Sequence, residues 1–310
     1  MIRGVEMQLF APKYYKDFKC IADRCKHSCC IGWEIDVDEK TLCRYKTEKD
    51  GYFKAILSGI NEDGDAPHFV LCENERCPHL DKSGLREIIK RFGDEYLPDI
   101  CREHPRFYNN SRLGKEVGIG MACEEACRLI LSSDEYSEMI RLEQVADENY
   151  DFKFDTVAAR NDIYFTLSRA DIPYEDKLAF LWKKYDADPS LTSDSEWREF
   201  ICSLEYLYED HKNLFSLYTS DVKTPRHSAP FLERFLAYMI YRHATPKRTE
   251  EEFRLALGLS FFAERLLASL IKSCKEFDTD RIFELARIIS EEIEYSEENT
   301  DAIMLEFEFI

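Results

Sequence analysis

The cysteines constrain this chain more than any other feature. Of twelve, ten fall between Cys20 and Cys127, while residues 131–310 carry only Cys202 and Cys274. The series opens as Cys20-x4-Cys25-x3-Cys29-Cys30 and continues through Cys43, Cys72, Cys77, Cys101, Cys123 and Cys127. Thiolates gathered this densely suit a soft metal or an iron–sulfur cluster, because sulfur ligation favours zinc or iron over magnesium or calcium. The alternative, a disulfide framework, belongs to secreted domains. The start, Met1-Ile2-Arg3-Gly4-Val5-Glu6, lacks the apolar stretch of a secretory signal. No apolar run approaches the roughly 18 residues that span a bilayer. The expectation is a cytoplasmic protein with reduced thiols and no membrane association.

Charge divides unevenly. Residues 1–130 hold 21 basic and 23 acidic side chains, which leaves 21 and 38 in residues 131–310, a net of −17 against −2. An acidic half of this kind repels phosphate backbones, so nucleic acid is excluded as a partner, and a basic protein or lysine-rich peptide suits the field. The same acidity also serves to keep a helical surface soluble.

Glycine and proline punctuate residues 1–130, and few of its pieces can form long helices. Trp33 to Asp38 alternates apolar and acidic residues like a short strand or extended edge. Asp38 is placed to cap a helix beginning at Glu39, and Pro67 to Cys72 suggests another short strand. Glu87 to Phe92 predicts a helical turn or two ended near Gly93, and Glu124 to Leu131 a helix with acidic residues in its first turn. From residue 131 the pattern becomes long amphipathic helices. One contains Phe231, Leu232, Phe235, Leu236, Met239 and Ile240, with Pro230 in its first turn. Others run from Glu250 to about Phe277 and from Asp280 to about Tyr295. The expected architecture is mainly α, with an irregular cysteine-rich metal-binding segment at 1–130 packed on an acidic helical region at 131–310.

None of the cysteine pairs is Cys-x2-Cys, the knuckle spacing of most structural zinc sites. Cys101-x2-His104 is the nearest approach to a zinc pair, and His79 also flanks a cysteine. Neighbouring side chains diverge in strand and helix, so adjacent Cys29 and Cys30 rarely serve one small ion together. The radical-type motif Cys-x3-Cys-x2-Cys fails at its third place, which is Gly32 after Cys25-x3-Cys29 and Ile130 after Cys123-x3-Cys127. A cluster would have to be assembled from distant parts of the segment.

Several blocks resemble the flagellin lysine-N-methylases, the FliB proteins. They are Pro12-Lys13-Tyr14-Tyr15, Phe18-Lys19-Cys20-Ile21, Cys25-x3-Cys29-Cys30-x-Gly32-Trp33-x-Ile35, Cys77-Pro78-x-Leu80, Cys101-x3-Pro105-Arg106 and Cys123-x2-Ala126-x-Arg128-Leu129. They occur in the family's order over residues 12–131, and the helical remainder supplies no motif. The resemblance implies transfer of methyl groups from S-adenosylmethionine to lysines of flagellin, or of another lysine-bearing protein, by a protein that carries a four-iron four-sulfur (4Fe-4S) cluster, with zinc as the alternative metal. Carried over by position, Cys20, Cys25, Cys29, Cys30, Cys77, Cys101 and Cys123 become the ligand candidates, more than one cluster's four. The chain departs from the family in three places. Leu85-Arg86-Glu87-Ile88 stands where the family has Leu-Cys-x-Ile, His104 where an aromatic often precedes Pro-Arg, and Glu124 where a proline commonly follows the later cysteine. If the missing cysteine is a ligand, either Cys72 or Cys127 substitutes for it or the metal is held differently.

Methylation of an amine is a polar displacement that needs alignment and a route for the lysine's proton, not an electron. Any cluster would therefore chiefly shape the N-terminal segment. Tyr14, Tyr15, Tyr108, Glu34 and Asp36 are conceivable proton acceptors, each better explained by packing or surface charge, so no catalytic residue is assigned. Gly118-Ile119-Gly120 is only a fragment of a nucleotide-binding turn, read as a loop or bulge, and no methyl-donor pocket is located. No Ser-His-Asp set, Walker loop or zinc-protease helix occurs. The rival to an enzyme is a non-enzymatic zinc- or iron-binding scaffold or interaction protein.

Overall fold

The computed structural model describes residues 6–64, 66–82, 84–146 and 151–309. Helix makes up 55% of the chain against 11% strand, so the mainly α expectation holds. Among the described residues no helix is long and apolar enough to cross a membrane. Two compact units emerge, residues 19–106 and a larger one formed by 1–18 with 107–310. This division differs from the expected one at residue 130. Residues 107–130 join the larger unit because they carry two strands and most of a helix that complete its sheet and core, a long-range role invisible to local composition.

The smaller unit is built from short pieces. Asp38 caps the helix Glu39–Thr47, as its sequence predicts, accepting from Thr41 N at 2.9 Å. Its second oxygen accepts from Asp99 N at 2.8 Å, tying that cap to the short helix Asp99–Glu103. Asp50 caps Gly51–Ser58 in the same way. The Trp33–Asp38 alternation forms an extended edge: Ile35 and Val37 are buried, Glu34 and Asp36 exposed. Phe69 N donates to the Ile35 carbonyl and Val37 N to that of Pro67. The strand expected at 67–72 shortens to His68–Phe69, paired antiparallel with Ile60–Asn61. The core gathers Tyr45, Phe53, Ile56, Phe69, Ile88 and Leu97 with the sulfurs of Cys30, Cys77 and Cys101. Phe53 and Phe92 meet at 4.6 Å between ring centroids, within the range favoured by aromatic pairs.

The larger unit contains a four-stranded sheet that the sequence reading lacked. Its order is Arg106–Ser111, Gly114–Ile119, Glu6–Pro12, Met139–Ala146. Glu6–Pro12 runs parallel to Gly114–Ile119 with Leu9 opposite Lys115, and antiparallel to Met139–Ala146 with Ala11 opposite Ile140. Gly118 and Ile119 therefore belong to a strand, which corrects the loop-or-bulge reading. A Cβ at Gly118 would lie 2.3 Å from Phe107 Cζ, so close ring packing is what requires glycine there.

The helices that the sequence bounded stand close to expectation: Glu124–Ser132, Ala229–Met239 with proline in its first turn, Glu250–Ser273, and Thr279–Ile289. Thr249 and Glu252 form a capping box that starts Glu250–Ser273. This helix is buried nearly all round, which marks it as the centre of the unit. Its buried Glu264 and Arg265 pair at 2.6 Å, and Tyr174 donates to Glu264 at 2.8 Å, so neither charge is left uncompensated. Two helices continue as π-helical turns, Ile240–Ala244 after Ala229–Met239 and Ser290–Glu294 after Thr279–Ile289.

Candidate functional site

In the smaller unit four thiols gather about one guanidinium. Arg86 precedes the helix Glu87–Phe92 in extended conformation, with Glu87 N bonded to the His79 carbonyl at 2.8 Å. Its Nε donates to Cys30 Sγ at 2.9 Å and its Nη2 to Cys29 Sγ at 3.5 Å, while Nη1 reaches the Cys101 carbonyl at 3.3 Å. The backbone fixes the sulfurs: Cys77 N donates to the Cys30 carbonyl at 2.8 Å, and the Trp33 indole to the Cys29 carbonyl at 2.8 Å. Gly32 takes a positive φ of 91° between them, which a larger residue adopts only under strain.

The electrostatics follow the same geometry. The Cys29 hydrogen bond is the largest influence lowering Cys30, and with Arg86 it outweighs burial to bring the thiol to about 6. Burial pushes Cys77 up to about 11 and Cys101 up to about 12, with Arg86 opposing both. Burial works against the Arg86 charge, but Cys101, Cys30 and Cys29 overcome it and hold the guanidinium more firmly protonated than usual.

Cys20 is exposed and accepts from Ala22 N at 3.4 Å, and Cys25 donates to the His27 carbonyl at 3.1 Å. Cys123 belongs to the larger unit, at the cap of Glu124–Ser132. So does Cys127, buried with its thiol donating to the Phe283 carbonyl at 3.3 Å. Cys72 is exposed, its amide bonded to the Arg76 carbonyl. The His79 ring packs edge-on to Phe69, and burial lowers it to about 4. The His104 ring lies 6.3 Å from that of Trp33.

This donor set does not fit the metals considered. Zinc with bonds near 2.3 Å holds its sulfurs about 3.8 Å apart. Among the described residues no three thiols bring their sulfurs within even 4.8 Å of one another; the group that meets this limit is His211, Glu291 and Glu292. A cubane cluster needs four sulfurs on separate irons around a central space. Here the Arg86 guanidinium is seated against the sulfurs of both Cys29 and Cys30.

Two further features of the larger unit escaped the sequence. Glu294, fully buried in a π-helical turn, accepts from Tyr238 Oη at 3.0 Å and pairs with Arg242 at 3.2 Å and His243 at 2.8 Å. Burial raises the Glu294 carboxyl, but Arg242 and His243 bring it below its ordinary value; burial lowers His243. π-helical turns recur at functional sites, yet nothing local in the sequence marks them. The second feature is a cleft of about 230 Å³ lined by Glu205, Tyr206, Leu207, Glu291, Glu292, Tyr295, Ser296 and Glu298. Glu292 anchors its rim, accepting from Leu207 N at 2.8 Å and bonding His211 Nδ1 at 2.5 Å. Of the conceivable proton acceptors, Tyr14 is buried and held well above the ordinary tyrosine value, and Glu34 pairs with His68 at 3.3 Å.

Fold and site together define a mainly helical protein with a separate thiol-rich unit. Comparison with known proteins agrees with the resemblance carried by the cysteine blocks. The chain is 24% identical over 141 residues to the lysine-N-methylase of Salmonella choleraesuis and, equally, to that of Salmonella typhimurium, covering 41% of this chain and 33% of each relative. It is 26% identical over 133 residues to the flagellar biosynthetic protein FliU of Salmonella muenchen, covering 41% of this chain and 79% of that one. The match thus spans about a third of the length of the curated lysine-N-methylases. No family model matches the chain, and no solved structure does.

Proposed function

We propose that this protein transfers methyl groups from S-adenosylmethionine to lysine ε-amines of a protein substrate, flagellin foremost. The observation that carries this reading is the similarity to two curated lysine-N-methylases. The chemistry of the larger unit supports it. The whole chain's net charge of −19 likewise favours a basic substrate. The Glu205–Glu298 cleft offers carboxylates and the rings of Tyr206 and Tyr295, a combination suited to an alkylammonium group.

In the reaction the lysine ammonium first loses a proton to a carboxylate or water. The neutral nitrogen then attacks the sulfonium methyl, so that an N–C bond forms as the S–CH₃ bond breaks and the donor leaves as its neutral thioether. No electron is transferred, and no step runs through an iron–sulfur centre, which the thiol arrangement does not fit. The test is incubation of the full chain with flagellin and methyl donor under reducing conditions, followed by peptide mass spectrometry. Mass gains of whole methyl groups at lysines support the proposal. Unmodified lysines in a folded, donor-supplied mixture refute it and leave the non-enzymatic scaffold.

A further inference from the structure

The cysteine-rich unit poses a question that the methyltransferase reading does not answer: what holds four converging thiols together. In most such segments the answer is an inorganic cation, which neutralises the sulfurs and fixes the chain segments that bear them. Here those segments are Cys29-Cys30, Cys77 and the short helix with Cys101, drawn from distant parts of the unit. Each has a link to Arg86. The side chain donates to the sulfurs of Cys30 and Cys29 and to the carbonyl of Cys101, and Cys77 is held to the same site by its amide bond to the Cys30 carbonyl. Its backbone pairs with Leu80 in an isolated bridge, three residues beyond Cys77.

We infer that Arg86 takes the place of the inorganic centre in this unit, its guanidinium serving as the cation on which the thiols of Cys29, Cys30, Cys77 and Cys101 are assembled, so that the chain folds without a cluster or zinc. A guanidinium is suited to this role. It is planar, permanently charged and weakly hydrated, and it presents several donors in a fixed fork, so one side chain engages several acceptors at once. Hydrogen bonds from such a charged donor are stronger than neutral ones. The position next to Glu87–Phe92 is also rigid, because Ile88 from that helix is buried in the same core as the thiols.

The inference stands apart from the catalytic reading: a metal-free unit is compatible with an active or an inactive protein. Its test uses the full chain produced anaerobically with iron and sulfide supplied. Iron, zinc and acid-labile sulfide per chain are measured, the absorbance near 400 nm is recorded (about where thiolate-to-iron charge transfer falls), and thermal unfolding is followed with and without a strong chelator. The expected result is metal and sulfide well below one equivalent, no such absorbance, and a midpoint unmoved by chelator. Stoichiometric iron and sulfide, stoichiometric zinc, or collapse of the unit on chelation would overturn it. The variant R86M, which keeps the length of the side chain and removes its charge and donors, is expected to lower the unfolding midpoint or to fail to fold. R86M with the wild-type midpoint would overturn the inference as well.

Discussion

Replacing Glu294 with glutamine removes one charge from the most enclosed ionic group of the larger unit and changes almost no volume. The carboxylate has no exposed surface and satisfies three donors, Tyr238 Oη at 3.0 Å, Arg242 Nε at 3.2 Å and His243 Nε2 at 2.8 Å. The amide keeps one acceptor oxygen but leaves the Arg242 guanidinium, largely buried between the rings of Phe107 and Tyr295, without its counter-charge. Breaking a buried pair from one side costs about 3–5 kcal/mol. The retained amide oxygen places E294Q at the low end, about 3 kcal/mol. For a unit of about 220 residues, that lowers the midpoint by about 6–12 °C.

The pH dependence has a definite sign. The folded-state value of His243 is depressed by burial, so below about 6.5 the unfolded chain takes up the proton first and stability falls with acidity. Glu294 counteracts that depression, and E294Q removes the counteraction. Glu294, itself depressed, contributes stability above the ordinary carboxylate range and loses it only at lower pH. The deficit of E294Q should therefore widen between pH 7.5 and pH 5.5. Urea unfolding followed by circular dichroism at both pH values measures it. A deficit under about 1 kcal/mol at both, on the scale of an ordinary surface substitution, would mean that Glu294 is not the counter-charge that holds Arg242 in the interior.

Other substitutions probe separate parts of the account. D38A removes a helix cap and the acceptor for Asp99 N, and should cost about 1–2 kcal/mol, seen as faster hydrogen exchange at the Thr41 and Asp99 amides. G118A drives a methyl group into the Phe107 ring and should cost about 1–3 kcal/mol, with F107L restoring most of the loss in a double variant. The double variant E205Q/E298Q should raise KM for flagellin several-fold, because the cleft loses the charge that attracts the substrate's ammonium group. An unchanged KM would remove the cleft from the substrate's path.

The helical part of the fold was legible because its signals are local. Pro230, Asp38 and the apolar spacing from Phe231 to Ile240 each declare a boundary or a face within a few residues. The sheet was not, since Glu6–Pro12 finds its parallel partner more than a hundred residues away, and the glycines of Gly114–Ile119 read locally as breakers. The thiol cluster was half legible. The sequence singled out Cys29, Cys30, Cys77 and Cys101 among seven candidate cysteines, but Arg86 stood out only as a departure from a pattern. Its role depends on a side chain meeting sulfurs 56 and 57 positions earlier in the chain. Glu294 and His243, 51 positions apart, meet through two π-helical turns, for which no residue pattern gives warning.

The most direct test supplies the chelator-treated chain with flagellin and a donor carrying a deuterated methyl group, then locates the label by peptide mass spectrometry. Deuterated methyl groups are expected on flagellin lysines, in an amount that chelation does not reduce. Lysines without label, whether or not chelator was used, would contradict it.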